Sequence, residues 1–290
     1  MSSIMSKQWM VTILASLMAL NTASGVLVFE MNFNDATGAQ SAATTVPSSP
    51  AITPTLSATA GFSNTVVPSI NGGGFAADLT DTSVTSGGTA PSFIVSDADA
   101  GAIDGLSVLT ISMWINIDGS TTSNHRILRK SFDDILQIRT NNTIRFEIDG
   151  PGSGDSETID STLTVADNTW TFIAVSYDGT SSTNNLTFWT RAEGAGAFTS
   201  ETQTLSSGLD WGSNNDDLFI GGPLAGTYAE AYLDNLRFHD TVLSETELNS
   251  LFTTVDVVPE PSTYSYIFLG FLILAAARQY GLRKNSTKTS

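Results

Sequence analysis

Two carboxylates in the middle of the chain, Glu147 and Asp149, have a spacing that glycoside hydrolysis could use. Residues two apart on a strand share one face. Retaining hydrolysis needs one carboxylate as nucleophile and another as acid/base, about 5 Å away. No glutamate occupies the next three positions, where the chain continues Gly150-Pro151-Gly152. The acid/base is missing, and we interpret Glu147 and Asp149 as a strand end and a turn.

The other catalytic chemistries also lack their residues. The chain has two histidines, His125 and His239, and no cysteine, so thiol chemistry and a disulfide framework are excluded. Spacing alone leaves a Ser-His-Asp triad open, but no Gly-x-Ser-x-Gly elbow presents a nucleophile. There is no phosphate-binding loop and no His/Cys zinc cluster. We therefore predict a protein that is not an enzyme.

The chain is strongly acidic. It has 29 Asp and Glu against 12 Lys and Arg, which gives a formal net charge of -17. Such a surface repels nucleic acid and anionic lipid. It is compatible with calcium binding or with solubility outside the cell.

The first 25 residues have the three parts of a signal peptide. Lys7 supplies a positive start, and Trp9–Leu20 is an apolar stretch too short to span a bilayer. Ala23-Ser24-Gly25 offers small residues for cleavage. We predict a signal peptide over residues 1–25 and an exported domain over residues 26–256. The alternative is an uncleaved N-terminal anchor.

The end of the chain combines a proline motif, an apolar segment and a basic end. The motif Pro259-Glu260-Pro261 is followed by the uncharged run Tyr264–Ala277 and then by a cluster of arginine and lysine. With its flanking residues the run predicts a transmembrane helix over about 264–282. The basic residues after it place the C-terminus in the cytoplasm.

This order of features resembles the PEP-CTERM sorting signal of Gram-negative bacteria, over residues 258–284. The resemblance implies recognition by an exosortase, a membrane protease that removes the tail. It also implies an inner-membrane intermediate and delivery to the cell surface or extracellular matrix. Two features depart from the pattern, because Arg278 interrupts the apolar run and Asn285–Ser290 extend beyond the basic cluster. The alternative is a plain single-span anchor.

The segment 26–256 has the composition of an all-β domain, rich in Ser, Thr, Gly and Asn. Ile111, Met113 and Ile115 alternate with other residues, which predicts a half-buried strand. Regular short strands with Gly and Asn turns predict an antiparallel sandwich. Residues 36–100 are loop-rich.

One short helix is predicted near the end of this segment. Ser244 is an N-cap and Glu247, three residues later, completes a capping box. Leu248, Leu251 and Phe252 form an apolar stripe on the helix that follows. We expect this helix to seal one end of the sandwich.

Five segments, in a fixed order, resemble the laminin G-like, concanavalin A-like jelly-roll superfamily. They are Leu109–Ile115, Ile127–Ile148, Asn168–Gly179, Leu218–Gly222, and Tyr232–Phe238 followed by Leu243–Leu248. Residues 36–100 match this pattern poorly. The resemblance implies a two-sheet antiparallel jelly-roll sandwich, and binding more often than catalysis. The fold alone names no ligand.

The resemblance also implies one structural calcium between the first and last strands. Asp234 matches the expected Asp by position, and Asn34 or Asp35 could join it from the first strand. Calcium prefers several oxygen ligands of this kind. The alternative is that Asp234 caps a strand or pairs with Arg237.

Sugar binding pairs an aromatic face with polar groups that reach hydroxyls. The first candidate is Trp211 with Asn214 and Asn215, because that loop has no apolar alternation. The further candidates, near predicted turns or strand edges, are Trp189, Tyr228 and Tyr232. For each single aromatic residue, a place in the core is the alternative.

These features lead to one principal hypothesis and two alternatives. The principal one is an exported, exosortase-sorted protein of the cell surface or matrix, with a non-catalytic carbohydrate-binding or adhesive domain. Its expected partners are the exosortase, the inner membrane and polysaccharide or surface glycans, but not nucleic acid. The first alternative is a structural matrix component without a specific glycan pocket. The second is a divergent glycan hydrolase or lyase.

Overall fold

The computed structural model describes residues 25–33, 54–57, 60–68, 74–80, 90–119, 123–130, 134–150, 156–212, 215–222 and 229–253. The sorting motif Pro259, Glu260 and Pro261 and residues 1–24 of the predicted signal peptide lie outside this part of the chain. Within the described part, no helix is both long enough and apolar enough to cross a membrane.

Strands dominate the described residues. They are β1 (Leu27–Met31), β2 (Thr55–Leu56), β3 (Gly61–Ser63), β4 (Ala76–Asp78), β5 (Ser92–Val95), β6 (Val108–Ile117), β7 (His125–Arg129), β8 (Ile135–Ile138), β9 (Thr143–Ile148), β10 (Glu157–Thr164), β11 (Thr171–Asp178), β12 (Leu186–Ala192), β13 (Thr199–Gln203), β14 (Leu218–Gly221) and β15 (Ala231–His239). The helices are α1 (Asp97–Ala100), a 3-10 turn (Gly101–Ile103) and α2 (Glu245–Thr253).

The strands form two antiparallel sheets. The eight-stranded sheet has the order β13-β12-β11-β6-β15-β4-β3, and β1 also pairs with β15. The seven-stranded sheet has the order β10-β9-β8-β7-β14-β5-β2. This confirms the predicted all-β jelly-roll sandwich. The strand that carries the predicted alternation, β6, lies beside β11 near the centre of the eight-stranded sheet.

The core lies between the sheets because the strands alternate their side chains. Ile111, Met113 and Ile115 of β6 point into it, together with Ile173 and Val175 of β11. All five are fully buried. Each such side chain contributes roughly 1.5–3 kcal/mol when it leaves water, so this layer supplies much of the stability of the domain.

A second apolar cluster covers the outer face of the eight-stranded sheet. Trp114 and Phe172 alternate with the core residues of their strands and so face outward. Leu248 and Phe252 of α2 pack onto them, with the rings of Trp114 and Phe252 4.8 Å apart. The helix therefore lies on a sheet face, and the expectation that it seals one end of the sandwich is wrong. The apolar stripe of the helix packs where apolar side chains project from the sheet, and Trp114 is among the largest of these.

The capping box of α2 is confirmed. The Ser244 amide donates to the Glu247 carboxylate at 2.7 Å, and the Glu247 amide donates to the Ser244 hydroxyl at 3.3 Å. Leu248 is fully buried, and Leu251 packs at the margin of the cluster. The sequence signals for the start and the apolar face of this helix were therefore correct.

The exposed edges of the two sheets are tied together by side chains. The Thr162 amide and hydroxyl of β10 both donate to the Glu201 carboxylate of β13, at 2.6 and 2.8 Å. The Gln203 side chain donates to the Asp160 carbonyl at 3.0 Å. Unpaired edge strands invite aggregation, and these bonds cap the edge of β10. Both strands are polar and were missed in the sequence because they lack apolar alternation.

Candidate ligand-binding cleft

The first predicted glycan residue lies in the core. Trp211 is fully buried, and its ring stacks on Phe146 with centroids 5.7 Å apart and an interplanar angle of 10°. The expectation of an exposed ring at Trp211 is therefore wrong, because both faces of a buried ring are covered by protein. Asn215 is exposed, whereas Asn214 and Tyr228 lie outside the described residues.

Trp189 lies on the outer face of the eight-stranded sheet and is half-buried. Its ring meets Phe198 edge-on, with centroids 6.2 Å apart. Trp189 thus belongs to the margin of the apolar cluster under α2. A glycan role for Trp189 stays a prediction.

Asp234, the first residue of the predicted calcium site, accepts a hydrogen bond from the protein backbone. Asp234 is fully buried in β15, and its Oδ1 accepts the Asn235 amide at 2.7 Å. Within the described residues no group of three or more acidic or histidine side chains could hold a metal ion. A calcium ion held by Asp234 together with Asn34 or Asp35 stays a prediction. Asn34 and Asp35 lie outside the described residues.

Arg237, the alternative partner predicted for Asp234, forms an ion pair with another residue. The Arg237 guanidinium forms a buried ion pair with Glu30 of β1, with Nε and Oε1 2.6 Å apart. A β-bulge separates Asp234 from Arg237 along β15. The hydrogen bond from the Asn235 amide to the Asp234 carboxylate lies at this bulge. Asn235 has a left-handed backbone conformation there, with a φ of 49°.

A cleft of about 390 Å³ opens where the C-terminal ends of β6 and β4 lie beside the first residues of β15. Tyr232 stands directly opposite Asn116 of β6 and Asp78 of β4. The side chains that line the cleft are Val66, Thr80, Asn116, Asp118, Asn168 and Tyr232. We call these six residues the Tyr232 cleft.

The fold fixes the polar wall of the Tyr232 cleft. Asn116 is nearly fully buried in the last part of β6. The Asn168 amide donates to the Ile117 carbonyl at 2.9 Å, which holds the β10–β11 loop against the end of β6. The Thr80 hydroxyl donates to the Asp78 carboxylate at 2.7 Å. The backbone of Asn168 and the hydroxyl of Thr80 are therefore held in place before any ligand arrives.

A second, polar pocket of about 260 Å³ adjoins the first through Asp118. Its other lining residues are Gly119, His125, Thr140, Asn141, Asn142 and Asp167. The Asn142 amide donates to the Asp167 carboxylate at 2.7 Å. Gly119 allows this loop to close, because a Cβ there would lie 2.5 Å from Asp167. The two pockets together form a polar rim at one end of the sandwich.

The electrostatics of this end are acidic and partly desolvated. Burial raises the pKa of Glu230, and the nearby charge of Asp118 raises it further. Burial lowers the pKa of His125, whose Nδ1 donates to the Ala229 carbonyl. His125 is therefore neutral at neutral pH. Asp118 lines both pockets and Asp167 lines the second, and such carboxylates repel anionic ligands.

The chemistry that the Tyr232 cleft can support is recognition. An aromatic ring covers the C–H face of a sugar, and amide, hydroxyl and carboxylate groups match its hydroxyls. Tyr232 was visible in the sequence as an aromatic residue near a strand edge. Asn116, Asp118 and Asn168 were not singled out, because nothing in the sequence places them beside Tyr232. The pairing of β6 with β15 sets Asn116 opposite Tyr232, and the bond from the Asn168 amide to the Ile117 carbonyl holds Asn168 at the same end of β6.

The comparisons with known proteins agree with the fold. The sequence profile of the concanavalin A-like lectin/glucanases superfamily matches residues 88–249. No curated protein matches the chain in sequence. The match begins at the segment that leads into β5 and ends within α2, so it includes most strands of both sheets.

Several solved structures have similar folds. One is the binding domain of Paraclostridial Mosquitocidal Protein 1, with a TM-score of 0.54 and 14% identity over 78% of this chain and 51% of that chain. Another is the botulinum neurotoxin serotype D binding domain, with a TM-score of 0.52 and 11% identity over 80% and 52% of the two chains. A third is the binding domain of botulinum neurotoxin DC in complex with rat synaptotagmin II, with a TM-score of 0.55 and 12% identity over 80% and 52%. This chain spans about half the length of these structures, and the likeness shows the fold alone.

Proposed function

Because this chain belongs to the concanavalin A-like lectin/glucanases superfamily, we propose that it is a non-catalytic carbohydrate-binding or adhesive protein. The observation that carries the proposal is the Tyr232 cleft, in which a half-buried aromatic ring adjoins Asn116, Asp118 and Asn168. The similar solved structures are described as binding domains, which favours binding over catalysis. The superfamily also includes glucanases, so the absence of activity belongs to the proposal.

The acidic lining of the cleft restricts the class of sugar that it can bind. Its carboxylate, Asp118, repels uronic acids and sulfated sugars, and the chain as a whole carries a net charge of -17. Neutral polysaccharide therefore fits the cleft better than anionic polysaccharide. Tyr232 supplies the apolar contact, and Asn116 and Asn168 supply donors and acceptors to the hydroxyls.

Replacing Tyr232 with alanine is expected to weaken binding to the best polysaccharide of a panel at least tenfold, about 1.4 kcal/mol. The ring is the main apolar contact of the cleft, and its loss leaves Val66 beside polar groups that water also satisfies. Titration calorimetry on residues 26–256 measures the change. Tyr232→Phe keeps the ring and is expected to retain affinity within a few-fold.

Phe219→Ala provides a matched control. Phe219 is a half-buried aromatic residue of β14, in the other sheet, and it lies beneath the Arg129 guanidinium. We expect this variant to bind like the parent. Equal losses in both variants would place the binding surface elsewhere. A well-folded parent that binds no polysaccharide would favour the matrix component without a glycan pocket.

The proposed sorting of the protein rests on the C-terminal motif. We propose that an exosortase recognises Pro259-Glu260-Pro261 and passes the exported protein from the inner membrane to the cell surface or matrix. Replacing these three residues with alanine is expected to leave full-length protein in the inner membrane. Fractionation of the cells and immunoblotting measure this. Normal processing of the variant would reject the sorting proposal.

We also propose a structural calcium held by Asp234, with Asn34 or Asp35 from the first strand. Bound calcium stabilises a folded protein by mass action, about 2.7 kcal/mol at one hundred times its Kd. A melting temperature that calcium raises in the parent, but not in Asp234→Ala, would support it. Identical melting of the parent in calcium and in chelator would reject it.

A further inference from the structure

Lys130, directly after β7, is a fully enclosed amine beside two carboxylates. Its side chain is 0% exposed. The Nζ lies 3.0 Å from Oδ1 of Asp97 and 2.9 Å from Oδ1 of Asp104. It also donates to the Asp216 carbonyl at 2.7 Å. A buried ammonium is costly unless it is matched by such groups, and here it meets more carboxylate than one ion pair requires.

Both carboxylates are within reach of the amine. Asp97 Oδ1 accepts a hydrogen bond from Nζ. Asp104 Oδ1 lies as close to Nζ, at 2.9 Å. The amine and the carboxyl group of Asp104 are therefore held together before any reaction, and such proximity removes the entropy cost of an encounter between free groups.

We propose that Lys130 and Asp104 form an intramolecular isopeptide bond, with Asp97 as the group that carries the proton. The Lys130 nitrogen gives up a proton to Asp97, and its lone pair then attacks Cγ of Asp104. The N–C bond forms, one C–O bond of the Asp104 carboxyl group breaks, and the departing oxygen leaves as water. Two of the three ammonium protons go into that water. The step converts ammonium and carboxylate to amide and water, without an oxidant, a reductant or a cofactor.

The surroundings favour this step over a permanent ion pair. Burial raises the pKa of Asp104, although the contact with Lys130 acts in the opposite direction. A protonated carboxyl group loses its oxygen as water more readily than a carboxylate does. Asp97 is held in place, because its amide donates to the Asp217 carboxylate at 2.9 Å.

The stem of Lys130 is also fixed. It passes over Gly212, where a Cβ would lie 2.9 Å from both Cδ and Cε of the lysine. The Lys130 amide donates to the Asp134 carbonyl at 3.1 Å, and the Gly212 amide donates to the Asp134 carboxylate at 3.0 Å. A reacting group that is locked by packing and hydrogen bonds is held close to its productive geometry.

The bond would suit this chain in particular. Asp104 precedes β6 of the eight-stranded sheet, and Lys130 follows β7 of the seven-stranded sheet. The cross-link would connect the segment before β6 in one sheet to the segment after β7 in the other sheet. The chain has no cysteine, so a disulfide cannot make this connection. This inference concerns the stability of the domain and does not rest on the proposed glycan binding.

Mass spectrometry of the purified full chain tests the proposal. A cooperative melting transition first shows that the sample is folded. The protein is then denatured and digested, and the peptides that contain Asp104 and Lys130 are mapped. We expect one branched peptide, lighter than the sum of its two arms by one water molecule. Asp104 precedes Gly105, so a backbone succinimide would also lose water. A succinimide leaves the two peptides separate, which would overturn the proposal.

Variants separate the roles of the three residues. Lys130→Arg keeps the positive charge but is expected to give separate peptides at the full sequence mass, as is Asp104→Ala. Asp97→Asn is expected to fold and to show no branched peptide, or far less of it. Complete cross-linking in Asp97→Asn would overturn the role of Asp97. Separate peptides at full mass in folded parent protein would overturn the bond itself and leave an ordinary ion pair.

Discussion

Trp211→Ala is expected to lower the free energy of unfolding by about 3–5 kcal/mol, the usual cost of removing a buried tryptophan. The Trp211 ring is fully buried, stacks on Phe146 and lies 6.0 Å from the Phe238 ring. The backbone of Trp211 also exchanges two hydrogen bonds with Leu106, at 3.2 and 3.0 Å. Removing the ring leaves a cavity between the sheets that its neighbours cannot fill.

Urea unfolding followed by tryptophan fluorescence measures this loss, and Trp189→Ala is the matched control. Trp189 is half-buried at the margin of the outer cluster, so we expect it to cost clearly less. A loss of only a few tenths of a kcal/mol in Trp211→Ala is the size expected for a surface substitution. It would mean that the ring is exposed in solution, and the sequence expectation of a surface aromatic would then be restored.

The fold was predictable where side chains alternate over a long strand. In β6, Ile111, Met113 and Ile115 face the core, and the pattern alone assigns both the strand and its buried face. The helix α2 was predictable because Ser244 and Glu247 act locally. What the helix packs against depends on Trp114 and Phe172, which are distant in sequence. The alternation predicts that these rings face outward, but it does not tell whether solvent or a helix covers them.

The site was less predictable, because its residues are brought together by strand pairing. Trp211 was chosen for its polar neighbours in sequence, yet its strand-like bridge to Leu106 turns the ring into the core. Tyr232 alternates with the core residues Ala231 and Leu233, which indicates a ring on the outer face. Its partner Asn116 lies more than one hundred residues earlier, and no local pattern connects the two.

Buried charge was also underestimated from the sequence. Asp134, the second of two adjacent aspartates, is fully buried and accepts the Asp149 and Gly212 amides. Lys130 gave no local signal, because its partners Asp97 and Asp104 come from an earlier segment. A chain this acidic can bury a lysine by surrounding it with its own carboxylates. The same logic applies to the pair of Glu30 and Arg237.

His239 is expected to make the domain less stable as the pH falls from about 6.5 to about 4. The ring is buried in β15, its Nδ1 has no hydrogen-bond partner among the described residues, and burial lowers its pKa to about 4. The charge of Arg237 is a smaller cause of this lowered pKa, and Glu30, Asp240 and Glu247 act in the opposite direction. The unfolded chain, with an ordinary histidine pKa near 6.5, therefore binds a proton that the folded chain does not.

The sign and size of the effect follow from this difference. The stability that His239 contributes is fully present above pH 6.5 and is lost as the pH falls to about 4, for a total of about 3 kcal/mol. His239→Gln is expected to remove this part of the pH dependence in urea unfolding between pH 7.5 and 4. Other groups titrate in the same range, including His125, whose pKa burial also lowers. Their contributions are shared by parent and variant and cancel in the difference. An unchanged slope in His239→Gln would mean that the buried ring is reached by water and titrates normally, which would in turn imply that β1 separates readily from β15.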